Sequence, residues 1–459
     1  MTIDRALPPG SLRAHVAELL RLATPVMVSR TGFMMLVLVD TLMVGHYGSE
    51  DLAHLGLGTA LVGPLLLIPL GLLMGTVVLA AAAKEGGKPV EAGLAWRRSL
   101  PQALALGLLG TAICALGEPL LRLSGQAPDL AAAGGAVMAI IGPGLPFVLL
   151  FITTAFFLEG IRRPGVVAGI MVAGNLLNLG LNWVLVYGHM GLPALGAEGS
   201  AWATTLVRAA LAVMAVGYVL TMPDRREYGL DLRPRDLLRY PGPWRDGARQ
   251  RRIGYAAGVG LGVEVVAFAT LNLFAGWLGA LPLAAFSIVM NLMTVVFMIA
   301  VGLGVATAVR VGGAHGRGDT AGVALAGWTG LAVNSVLMAA CGVAFGVAPG
   351  ILSSIYTADP ALVAVAAPAV AFAGWILVAD GGQGLLANAL RGRLETWVPT
   401  AIQAVSYLAV MVPLCWALAL FLDRGVRGLM EGMLVASLLS VGLLAWRFQL
   451  LVRRDQHMF

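Results

Sequence analysis

Three carboxylates lie where a charge is costly. Asp40 sits in LVLVDTLMVG, Glu264 in GLGVEVVAFA and Asp380 in AFAGWILVADGGQGLLANALRGR, each inside an apolar run. The base nearest to Asp380 in sequence is Arg391, eleven positions on, about 16 Å along a helix at ~1.5 Å per residue. A charge at the centre of a membrane helix costs at least ~2.5–3.5 kcal/mol on insertion scales. Such an acid either stays protonated and hydrogen-bonded between helices, serving packing, or is kept for an exchangeable cation: a proton, Na⁺ or an organic cation. No lysine is placed comparably deep, which argues against a closed set of internal ion pairs. Arg30 and Arg208 are the deep bases; either can snorkel or pair between helices. Arg30 stands ten residues from Asp40, too far for a partner on the same helix.

Neutral polar residues accompany the acids. GNLLNLGLNWVLVYG places Asn175, Asn178 and Asn182 three and four residues apart, on one helix face. Amide oxygens suit Na⁺ or a neighbouring acid; interhelical hydrogen bonding is the plain alternative. GVGLG (258–262) follows no strand and reads as helix-packing glycine rather than a dinucleotide loop. Cys114, Cys341 and Cys415 lie inside apolar runs without disulfide or metal spacing. The six histidines show no ligand spacing, and no hydrolase or nucleotide-binding motif is present, so an enzyme is not expected.

The elements that must hold these residues are membrane helices. The chain is 59% hydrophobic and 12% charged, with a mean hydropathy of +0.86; a soluble domain carries about twice that charge. Apolar runs recur along the whole length, and their lack of alternation predicts an all-α integral membrane protein rather than a barrel. Twelve spans are expected, at roughly 16–44, 52–80, 95–117, 130–158, 166–188, 199–221, 254–278, 281–311, 321–346, 361–388, 398–421 and 428–451. The N-terminus lacks the short apolar core and cleavage site of a signal peptide.

Charge sets the orientation. Nine arginines fall within 223–252, and Lys84, Lys88, Arg97, Arg98, Arg162, Arg163, Arg317, Arg391, Arg393, Arg453 and Arg454 share its side, against Arg122, Arg424 and Arg427 opposite. The positive-inside rule then puts both termini and the 223–252 loop in the cytoplasm. Membrane lipids, not nucleic acid, are the partners this basic balance implies.

The two groups of six spans repeat. GHYGSEDLA (45–53) matches GWLGALPLA (276–284) at an offset of 231, which also carries Gly71 onto Gly302 and Gly87 onto Gly318. An offset of 232 carries LEG (158–160) onto LRG (390–392). The expected organisation is a six-helix lobe over 1–222, a cytoplasmic basic linker over 223–252 and a second six-helix lobe over 253–459, pseudo-symmetric about the membrane normal. Parallel repeats of this kind are a transporter architecture.

In order along the chain, TPVMVSRTGFMMLVLVDTLMVGHYGSEDLAHLGLG, LEGIRRP, NLLNLGLNWVLVYGHMGLPALGAEGSAWAT, VGLGVATAVRVGGAHGRGD and DGGQGLLANALRGRLETWVP make it resemble the multidrug and toxic compound extrusion (MATE) family, in its NorM-like bacterial branch. The resemblance implies two six-helix lobes forming a V and a monomeric antiporter of the bacterial cytoplasmic membrane. Its substrates would be small cationic organic compounds and drugs, exported against inward H⁺ or Na⁺, with no cofactor. It assigns Glu264 and Asp380 to the coupling cation, with Na⁺ as an alternative to H⁺ there. Asp40, with Asn178, Asn182 and Ser200 around it, becomes the N-lobe acid. Asp359, Asn291, Gln383, Phe297 and Asp40 fall along the implied substrate path. Two departures stand out: Phe286 and Ser287 replace a His-Gln of relatives, and Phe297 replaces a tyrosine, both removing polar ligands and favouring H⁺. A flippase of the same superfamily for a lipid-linked substrate is the alternative, disfavoured because the deep charges are mostly acidic. A channel would need a filter sequence that is lacking.

Pro25, Pro64, Pro69 and Pro368 are expected kinks, static or mobile.

Overall fold

The computed structural model describes residues 12–231, 236–237, 239–357 and 359–456. Residues 1–11, on which the signal-peptide reading mainly rests, and linker arginines Arg233 and Arg235 lie outside the described residues. Among the described residues all the regular structure is helical, with no strand.

Among the described residues ten helices are long and apolar enough to cross a membrane, or twelve when each of two bent pairs is counted as one span. One pair, α5 (Pro89–Ala115) and α6 (Gly117–Leu123), bends by 60°; the other, α7 (Pro128–Ile141) and α8 (Gly144–Gly160), bends by 45°. The second bend falls at Gly142–Pro143, where proline removes a backbone donor. The expected second span is interrupted twice, giving α2 (Ser49–Ala60), α3 (Val62–Leu73) and α4 (Gly75–Glu85). Pro64 cannot donate to the carbonyl of Ala60, which accounts for the first break. Pro25 and Pro368 instead sit inside continuous helices, α1 (Leu12–Tyr47) and α15 (Pro360–Gly392).

Contacts divide the chain into an N-terminal unit, Val28–Gly258, and a C-terminal unit, Met1–Met27 with Val259–Phe459. This differs from the sequence division at 222 and 253. The start of α1 packs Leu19, Leu22 and Ala23 against Leu303, Ala306 and Leu385 of the C-terminal unit. The linker joins the N-terminal unit instead, since Tyr228 is buried and Gln250 Nε2 donates to the Ala95 carbonyl at 2.8 Å.

The N-terminal unit also contains α9 (Pro164–Tyr187) and α10 (Gly196–Thr221). On α9 the usual polarity is inverted: Asn178 and Asn182 are buried, while Leu176, Leu179 and Trp183 are exposed. A helix with polar residues inward and apolar ones outward is built for a lipid surround.

The C-terminal unit comprises α11 (Ala248–Trp277, from Val259), α12 (Ala280–Gly316), α13 (Thr320–Val347), α14 (Pro349–Ser354), α15, α16 (Trp397–Ala404), α17 (Val412–Trp416) and α18 (Gly425–Gln456). Two π-helical stretches, Val405–Met411 and Ala417–Phe421, flank α17. Helices α13 and α15 touch backbone to backbone: a Cβ added to Gly342 would lie 2.5 Å from the Gly374 carbonyl oxygen, and one on Gly374 2.6 Å from that of Gly342. Only glycine permits that approach, which fixes the helix carrying Asp380. Phe286 is fully buried in the apolar core of this unit, a packing role for one of the two departures noted above.

Candidate functional site

In the N-terminal unit, α1, α9 and α10 converge on Asp40, which is 8% exposed. Asn178 Nδ2 and Asn182 Nδ2 donate to its Oδ1 at 3.0 and 2.8 Å, and Thr204 Oγ1 donates to Oδ2 at 2.7 Å. Spacing of four on α9 brings both amides to one carboxylate oxygen. Asn175 is not part of this site: its Nδ2 bonds the carbonyls of Gly32 and Met171, tying α9 to α1. The oxygens of Asn178, Asn182 and Ser200 are buried and have no hydrogen-bond partner. Oxygens of this kind are the ligands a hard cation takes. Arg208 lies within Coulombic reach of Asp40 without bonding it.

The C-terminal unit brings half-buried Glu264 on α11 and Asp380 on α15 together with buried Gln383 on α15, Gln403 on α16 and Tyr407 on its π-helical continuation. Tyr407 Oη donates to Asp380 Oδ1 at 2.8 Å. Gln403 Nε2 donates to Glu264 Oε1 at 2.9 Å and to Gln383 Oε1 at 3.2 Å. Gln383 also lies within electrostatic reach of both carboxylates. Gln403 Oε1 accepts from Arg391 Nη2 at 3.0 Å. A π-turn widens the helix and commonly marks a functional position; here it carries Tyr407.

Besides Thr204 and Gln403, three features of the sites were not read from the sequence. Tyr407 supplies the phenol that Phe297 lacks, from another helix; Phe297 itself packs near Gly384. Arg391 approaches Glu264 through Gln403, so the acids are not wholly without a basic neighbour. Glu159, read as part of a repeat and not as a deep acid, forms a buried ion pair with Arg30 at 3.0 Å. Even so, among the described residues no lysine or arginine forms a direct ion pair with Asp40, Glu264 or Asp380. No cluster of three or more His, Cys, Asp or Glu side chains suited to a metal occurs among them either.

The remaining expected residues lie apart from these networks. Asn291 is exposed and its Nδ2 bonds the Ser287 carbonyl of its own helix at 2.9 Å. Asp359 is exposed and caps α15, accepting from the Ala361 amide at 2.9 Å.

A protein-family model described as MatE matches residues 25–184 and again residues 257–417. The double match, beginning at an offset of 232, agrees with the internal repeat. The chain is 38% identical over 453 residues to a "Probable multidrug resistance protein NorM" of Caulobacter vibrioides, covering 98% of this chain and 94% of that protein. It is 31% identical over 444 residues to the "Multidrug resistance protein PmpM" of Pseudomonas aeruginosa, covering 92% of this chain and 89% of that one. In fold it is similar to a crystal structure of MATE in the bent conformation, with a TM-score of 0.87 at 19% identity, covering 97% of this chain and 98% of that chain.

Proposed function

Because this chain belongs to the MatE family of membrane transporters, we propose that it is a multidrug exporter that moves small cationic organic compounds out across the cytoplasmic membrane in exchange for inward H⁺ or Na⁺. The names of its relatives, a NorM-type and a PmpM multidrug resistance protein, support the substrate class. One observation carries the exchange mechanism: Asp40 is buried and Glu264 and Asp380 are half-buried, and all three are held by neutral donors, not by direct ion pairs. A carboxylate held this way is positioned and still has its charge to offer.

Exchange follows from electrostatics. One carboxylate cannot favour two cations at once in a low-dielectric interior. Uptake of the coupling ion neutralises the acid and weakens its hold on a cationic drug, which leaves. Release of the ion on the other side restores the charge and the affinity. Alternation of access supplies the direction. The cytoplasmic placement of both termini is supported by the Lys/Arg bias of the loops.

The test is ethidium accumulation in cells lacking their own exporters. Cells expressing the chain are expected to accumulate less dye than vector controls, with the difference abolished by an uncoupler. Equal accumulation with and without the chain would reject export of this substrate class.

A further inference from the structure

We propose that Arg391 is a resident counter-cation for the C-terminal acids and that, acting through Gln403, it excludes Na⁺ from Glu264. This deepens the antiport reading by naming the residue that sets ion specificity.

The argument rests on donor and acceptor logic. A guanidinium carries five donors and no acceptor. Arg391 Nη2 lies 3.0 Å from one atom of the Gln403 amide, so that atom must be the oxygen. The amide's other end is then NH₂, and it is this end that meets Glu264 Oε1 at 2.9 Å and Gln383 Oε1 at 3.2 Å. Arg391 therefore fixes the rotamer of the relay. Gln403 presents a hydrogen-bond donor to the acid, which suits a bare carboxylate and repels a metal cation. A Na⁺ site would need the oxygen there.

Charge points the same way. Arg391 is 5% exposed, and the carboxylate whose field it feels is Glu264. A buried guanidinium needs a compensating anion. Like charge one amide away also opposes entry of a second cation.

The repeat supplies independent support. Leu158-Glu159-Gly160 and Leu390-Arg391-Gly392 occupy equivalent places in the two halves, with opposite charge. Glu159 is answered directly by Arg30 on α1, the first helix of its half, at 3.0 Å. Arg391 faces Glu264 on α11, the first helix of the other half, with Gln403 interposed. Both halves thus bury a charge at this position and balance it from within. The N-terminal acid differs: its surroundings offer the unpartnered oxygens of Asn178, Asn182 and Ser200.

The test uses the purified full chain in the Asp40→Asn background, so that only the C-terminal acids respond. Thermal unfolding is followed while NaCl replaces choline chloride at constant ionic strength. The Asp40→Asn protein and its Arg391→Lys derivative should show no Na⁺-dependent shift. Arg391→Gln should gain one, with an apparent Na⁺ affinity at least roughly tenfold higher, the size expected from losing one like charge beyond an amide. A Na⁺ shift of equal size with and without Arg391, or an Arg391→Gln protein indifferent to Na⁺, overturns the proposal. Should Arg391→Gln fail to fold, the Asp40→Asn protein decides: indifference to Na⁺ upholds the proposal and a saturable Na⁺ shift abolished by Glu264→Gln overturns it. Failure of dye export would reject the antiport reading separately, since this titration requires no transport.

Discussion

Tyr407 Oη and Asp380 Oδ1 are joined by a 2.8 Å hydrogen bond between a π-helical turn and α15. The phenol is fully buried, and its ring lies 6.1 Å from that of Phe268. Tyr407→Phe keeps the ring and deletes the donor. A hydrogen bond to a charged group is worth about 1.5–3 kcal/mol, so gradient-driven ethidium efflux is expected to fall by about tenfold or more with the protein still folded. An unchanged initial rate in proteoliposomes would show that the phenol only packs.

Thr204 gives Asp40 its third donor. Thr204→Val is nearly isosteric and leaves Oδ2 without it. Efflux should fall several-fold, and more for Thr204→Val than for Asn175→Leu, because Asn175 bonds backbone carbonyls instead. Equal effects of the two substitutions on dye efflux would detach Thr204 from the acid's role.

Arg30 and Glu159 form the one direct ion pair deep in the N-terminal unit among the described residues, with side chains 6% and 1% exposed. Arg30 also sits over the Phe156 ring at 5.5 Å. Removing one partner strands a buried charge, at a cost of about 3–5 kcal/mol. Arg30→Met should therefore lower the melting temperature strongly, and the double variant Arg30→Met with Glu159→Gln should recover part of the loss. A single variant as stable as the parent in detergent would contradict this.

The backbone contact of Gly342 with Gly374 predicts a steric effect of a different kind. A Cβ there would lie 2.5 Å from a carbonyl oxygen, and overpacking of a tight contact typically costs about 1–3 kcal/mol. Gly342→Val should destabilise the C-terminal unit and displace Asp380, lowering both melting temperature and efflux. Gly346→Val, on the same helix with open space around it, should do neither.

The legible part of this fold was that which sequence spacing or composition encodes locally. Apolar runs located the helices, because lipid leaves backbone groups no other partner. Asp40, Glu264 and Asp380 were visible as isolated charges, and Asn178 with Asn182 as a spacing of four. Thr204, Gln403 and Tyr407 were not, since a neutral polar residue in a span most often only packs and each lies on a different helix from its acid. Glu159 was obscured by Arg162 and Arg163 just beyond it, which make the segment look like an interface. Arg391 read as a loop charge because it ends its helix, yet that helix end is buried. The bend at Leu116 and the unit boundary inside α1 left no periodicity to read, and Gly142–Pro143, a local signal, was not read as the other bend.

Efflux of ethidium from proteoliposomes, with pH and Na⁺ gradients imposed separately, tests the exchange of cations at the deep acids most directly. The wild-type chain should expel dye under an imposed pH gradient, and Glu264→Gln and Asp380→Asn, expressed and folded, should not. Equal efflux by these two variants and the wild-type chain, or efflux that ignores both gradients, would contradict it.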